Sequence, residues 1–151
     1  MTSLPFPAVW LGLAGLVPLL LAAIGVLIGG PWWRAFSSSA LLAYGAAVLS
    51  FLGAVHWGIA IAQPDAPGNR SRLTLGVLPA LIATLALLLP RWLGLCVLVA
   101  GLLAVHVTEE GAARAGLVPG GYLWLRRFLT LGAVICVSAG LLGLMTGSRL
   151  E

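Results

Sequence analysis

The sequence predicts an all-α protein: a polytopic membrane bundle of about five transmembrane helices, with kinked first and third helices. Three observations carry that expectation. Of the 151 residues, 61% are hydrophobic and 8% charged, and mean hydropathy is +1.11, a composition that a soluble domain of this size could not keep in solution. The apolar residues fall in runs of about 17 to 25, which at 1.5 Å per helical residue match a hydrocarbon layer about 30 Å thick. All basic residues are arginines, and they stand at or near the ends of those runs, as topology-setting charges do. The net charge of +4 and pI near 10.1 are therefore assigned to topology and not to nucleic acid. No soluble domain fits between the runs, so residues 1–151 are expected to form a single transmembrane domain.

The first span is expected at 6–28. Its amino-terminal flank, MTSLPFPAVW, lacks the basic region of a signal peptide, so the segment reads as a retained helix. Gly29, Gly30 and Pro31 end it, and Trp32 and Trp33 suit the headgroup level. Pro18 lies mid-span, where it removes a backbone hydrogen bond and frees the carbonyl of Ala14. Ser37, Ser38 and Ser39 offer N-caps for a second span at 39–63, which PDAPGN terminates. A third span at 73–89 contains Pro79, which frees the carbonyl of Leu75. Arg91 and Trp92 precede a short fourth span at 93–108. At roughly 24 Å it must continue into HVTEE or sit where the bilayer thins. The fifth span, 123–145, is entered through Tyr122 and Trp124. Cys96 and Cys136 lie inside apolar runs, without metal or redox spacing, and read as packing residues.

The chemistry concentrates around the second span. In YGAAVLSFLGAVHWG, residues Gly45, Leu49, Gly53, His56 and Ala60 share one helical face, so the imidazole points where the helix is thinnest. An intramembrane histidine is a candidate functional group, or a structural one hydrogen-bonded to a neighbouring helix. A neutral His56 could donate to one of the proline-freed carbonyls. With five spans and the amino terminus inside, His56, Trp57, His106, Glu109, Glu110, Tyr122 and Arg126 gather toward one leaflet. These are the candidate ligand-binding or polar intramembrane residues.

His106, Glu109 and Glu110 are spaced to present an imidazole and a carboxylate together, but no second ligand set accompanies them, and no metal is expected. The only aspartate, Asp65, is in a loop, so no Ser-His-Asp arrangement is available and no catalytic residues are assigned. Arg126 and Arg127 can hold an anionic headgroup or pair with Glu109 and Glu110.

YGAAVLSFLGAVHWG, AGLVPL around Pro18, GVLPAL around Pro79 and VPGGYLWLRRFLTL entering the last span together resemble the transmembrane protein 69 family of small bacterial and mitochondrial membrane proteins. The resemblance covers about 11–130. It implies an all-helical membrane domain and supplies no activity, cofactor or site residue. The family commonly has a tryptophan before the tyrosine where this chain has Gly121, and an aspartate where it has Glu109 and Glu110.

Three function classes remain. The first, ranked highest, is a non-enzymatic accessory, assembly or structural component of a membrane complex, partnered by lipid bilayer and protein. The second is a carrier or channel for protons or a small solute using His56. The third is a binder of an apolar small molecule (quinone, lipid or tetrapyrrole) between helices. No cofactor is assigned. The arginine distribution favours a cytoplasmic amino terminus in a bacterial inner membrane, with the mitochondrial inner membrane as the alternative.

Overall fold

The computed structural model describes residues 6–62, 64–65, 68–114 and 120–147, and among these it is built from five helices with no strand. They are α1 (Phe6–Ile28), α2 (Pro31–Ala62), α3 (Asn69–Leu88), α4 (Arg91–Arg114) and α5 (Gly120–Gly147). The all-helical expectation is met. Four helices contain segments long and apolar enough to cross a membrane: Val9–Ile28, Pro31–Ala62, Arg91–Glu110 and Trp124–Thr146. The apolar part of α3, Arg72–Leu88, is shorter.

The helix ends follow from local chemistry. Only Gly29 and Gly30 separate α1 from α2, and Arg34 returns its Nε to the carbonyl of Val26 at 3.2 Å, satisfying an orphan acceptor at the end of α1. The sequence places the start of the second helix at serine N-caps, but the helix begins at Pro31. Proline is favoured at the first helical position because its missing N–H is not needed there. Ser38 and Ser39 therefore lie inside α2, and both donate to the carbonyl of Ala35 at 3.0 Å. Gly68 precedes α3 with φ of 87°, a left-handed conformation that glycine adopts without a Cβ penalty. Leu89 is extended ahead of Pro90, which ends α3. For α4, the continuation into HVTEE is what occurs: the helix runs on to Arg114 and carries Glu109 and Glu110 as helical residues.

Helix α2 is the hub, packing on each of the other four. Its inner face, with Leu41, Leu49 and Ala46, joins Leu19 of α1, Leu95, Leu98 and Leu102 of α4 and Val137 of α5 in one core. Small residues let the backbones close in. A Cβ at Gly45 would stand 2.9 Å from the Leu98 side chain, and one at Gly101 2.8 Å from that of Leu49. The outer faces are apolar too: Leu20, Leu21, Leu81, Leu85, Ile135 and Leu142 are exposed. Trp32, Trp33 and Phe36 cluster at one end of the bundle, and Trp124 stacks on Phe128 toward the other, with ring centroids 6.0 Å apart. Aromatic girdles of this kind suit the two bilayer interfaces.

Pro18 and Pro79 lie inside α1 and α3. Near each, a donor from α2 reaches a backbone carbonyl, though not the carbonyl that each proline frees. Tyr44 donates its hydroxyl to Gly15 at 3.0 Å, and Trp57 donates Nε1 to Leu73 at 2.9 Å. Gly15 has no side chain to screen its carbonyl. Tyr44→Phe should lower stability in detergent by about 1 kcal/mol, the net worth of one neutral hydrogen bond, read from thermal melts. An unchanged melting temperature would show that this bond does not tie α1 to α2.

Candidate functional site

The carboxyl-terminal parts of α2 and α4 and the first turns of α3 and α5 meet at one end of the bundle. There a charged centre is buried. Arg126, 6% exposed, enters from α5 and faces Glu109, 9% exposed, from α4. The guanidinium grips the carboxylate with two donors: Nε to Oε2 at 2.9 Å, and Nη2 to Oε1. Such fork-to-fork pairing fixes orientation as well as charge. Nη2 also donates to the carbonyl of Leu52 at 3.1 Å. In a regular α-helix that carbonyl accepts the amide of the residue four positions on, here His56. One arginine thus ties α5 to α4 and to the turn of α2 that carries the histidine.

His56 stands at the edge of this pair. Its Nε2 is 3.8 Å from Oε1 of Glu109, outside hydrogen-bond range, and the contact becomes an ion pair only when the imidazole carries a proton. Among the described residues the polar contact of His56 is thus with a carboxylate of α4, and no hydrogen bond to a carbonyl freed by proline accompanies it. One turn before His56, α2 also crosses α3 closely. At Gly53 a Cβ would come within 2.5 Å of the carbonyl oxygen of Gly76 in α3 and 3.0 Å of the Pro79 ring.

A family model described as "Protein of unknown function (DUF3429)" matches residues 4–142. The chain belongs to this family. Transmembrane protein 69 of Xenopus tropicalis is 45% identical to it over 85 residues, which make up 56% of this chain and 33% of the relative. The chain thus spans about a third of that relative's length. No solved structure matches. The likeness agrees with the resemblance carried by YGAAVLSFLGAVHWG and the proline motifs, and together with the long apolar helices it makes this DUF3429 chain a membrane protein.

In this DUF3429 chain the remaining candidates divide. Glu110 pairs with Arg127 through both carboxylate oxygens, Nη2 to Oε2 at 2.6 Å and Nε to Oε1, but this pair is open to solvent where the first is closed. Trp57 is exposed on its outer side and is spent on the carbonyl of Leu73. His106 is half-buried one turn before Glu109 and, among the described residues, enters no hydrogen bond of the centre. The side chain of Tyr122 lies outside the described residues. No group of three His, Cys, Asp or Glu side chains that could hold a metal occurs among the described residues.

Two participants escape sequence reasoning. The carbonyl of Leu52 is backbone, and no residue type marks a carbonyl as a second acceptor. Thr130, 3% exposed on α5, is one of several scattered hydroxyl residues and is set apart only by having no hydrogen-bond partner among the described residues.

The two ion pairs differ in worth. Arg127→Ala should leave the melting temperature essentially unchanged, because an exposed pair is screened by solvent. A fall comparable to that from disrupting Arg126 would mean that the outer pair is buried in the membrane-embedded protein.

Proposed function

We propose that this protein is a small accessory or structural component of an energy-transducing inner membrane, a helical platform that assembles with protein partners. The observation that supports this reading is the internal closure of its charged centre. The two charges face each other and Arg126 also reaches the Leu52 carbonyl, an arrangement that holds α2, α4 and α5 in register. Beyond it, toward the other end of the bundle, the interior is filled by Leu41, Leu49, Leu95, Leu98 and Val137, all fully buried. A carrier would need polar groups to continue through that region. Arg70, Arg72, Arg126 and Arg127 belong to the end that holds the centre, against Arg34 and Arg91 at the opposite end. By the positive-inside rule this distribution favours the charged end and the amino terminus on the cytoplasmic side of a bacterial inner membrane, with the matrix side of a mitochondrial inner membrane as the alternative.

Purification from native membranes in mild detergent tests the reading. A protein partner should co-migrate in fixed stoichiometry on native gels, and liposomes holding the purified chain should conduct protons no faster than empty ones. Proton flux that is lost in His56→Gln would overturn this assignment in favour of a carrier.

A further inference from the structure

Two helices address the same oxygen, Oε1 of Glu109 on α4. Nη2 of Arg126, from α5, donates to it, and Nε2 of His56, from α2, stands 3.8 Å away. Nη2 also donates to the Leu52 carbonyl at 3.1 Å, so this arm of the guanidinium is shared between the carboxylate and the turn of α2 that carries the histidine. Oε2 accepts separately, from Nε of Arg126 at 2.9 Å. The side chains of His56 and Glu109 are 12% and 11% exposed, so the imidazole is enclosed but still open to a proton.

The surroundings of His56 make its charge consequential. From α3 comes Arg72, close enough to act on the imidazole by charge. From α4 comes Glu109, with His106 one turn earlier, and from α5 comes Arg126. Helix α1 has no ionisable side chain. While His56 is neutral, two guanidiniums face one carboxylate; once it is protonated, three cations face the same anion. Both nitrogens of a protonated imidazole are donors, and the gap between Nε2 and Oε1 is about 1 Å longer than a hydrogen bond. Arg126 in turn has space beside it. It forms part of the wall of a cavity of about 470 Å³ among α1, α2 and α5, which Glu109 does not line.

We propose that His56 is a proton-operated switch on the buried ion pair: when protonated it takes Oε1 of Glu109, and the Nη2 arm of Arg126 turns from α4 toward the cavity, keeping the Leu52 carbonyl. Helix α5 is then held to Glu109 by one hydrogen bond, from Nε to Oε2, where it was held by two. The third cation repels the other two, and the entry of α5 loosens. Histidine suits this part because its ordinary titration falls within the physiological range. Two alternative donors for one carboxylate oxygen supply the two discrete arrangements that a switch requires.

Hydrogen–deuterium exchange of the full chain in detergent, corrected for the intrinsic pH dependence of amide exchange, tests the switch. From about pH 8 to about pH 5, a range that brackets histidine titration, the amides at the start of α5, residues 120–130, should exchange about tenfold faster, the loss of one hydrogen bond to a charged group. His56→Gln keeps a donor and takes no proton, so it should hold the slow rate throughout. His106→Gln should respond as the wild type does. If His56→Gln does not fold, the imidazole nitrogen resonances of His106→Gln, in which His56 is the only histidine, decide: they should titrate in step with the change in exchange. A response that persists in His56→Gln would place the proton on another group and overturn the proposal. So would a response lost in His106→Gln, a wild type indifferent to pH, or a titration of His56 out of step with exchange.

Discussion

Glu109→Ala should destabilise the protein by about 3 to 5 kcal/mol, the cost of leaving one partner of a buried ion pair without the other. Arg126 is 6% exposed, and two of its contacts end on the lost carboxylate. The Leu52 carbonyl at 3.1 Å, which it would keep, is neutral and cannot balance a charge. The guanidinium would have to draw in water or swing toward the interface, and either movement releases the turn of α2 that holds His56. Joint replacement by apolar residues of similar volume, Glu109→Leu with Arg126→Met, should recover much of the loss, because the desolvation of both charges is then avoided. Denaturation in mixed micelles measures both variants. A single mutant as stable as the wild type would show that the pair is hydrated in the membrane. A double mutant as unstable as the single one would show that it specifies the fold by more than charge balance.

The second large effect is expected at Gly53→Leu. The added side chain would start 2.5 Å from the Gly76 carbonyl oxygen, a backbone atom that moves only if α2 and α3 separate. Overpacking in cores typically costs about 1 to 3 kcal/mol, and the upper part of that range is expected where backbone resists. Gly58→Leu is the control. It lies five residues on in the same helix, where a Cβ meets nothing within 4 Å, so only helix propensity changes, and in glycine's disfavour. The melting temperature should fall in the first variant and hold or rise in the second. Equal behaviour would remove the close α2 and α3 crossing.

Much of the architecture was legible because helix formation in a membrane is a local matter. Long apolar runs bounded by Gly, Pro and Trp leave the backbone one way to satisfy its polar groups, and α1 and α5 follow directly from that. The start of α2 was harder to read. Pro31 and three serines each offer an initiation signal, and the chain uses the earlier one, since a serine inside a helix satisfies its hydroxyl on the preceding turn. The face of α2 that carries Gly45, Gly53 and His56 was readable from periodicity alone.

The sequence by itself determined that this is a helical membrane protein, which residues carry its polar chemistry, and that arginines 126 and 127 and glutamates 109 and 110 could pair. Tertiary structure alone decided which pair is buried, that Arg126 also grips the Leu52 carbonyl, that His56 ends 3.8 Å from a carboxylate, and that the Thr130 hydroxyl is enclosed with no hydrogen-bond partner among the described residues. The physical reason is range. Hydropathy and backbone satisfaction act within a few turns of one helix. Burial of a charge depends on how far each helix is rotated and slid against its neighbours, and here that is set by small residues such as Gly53, Gly76 and Gly12, where the neighbouring chain packs most closely.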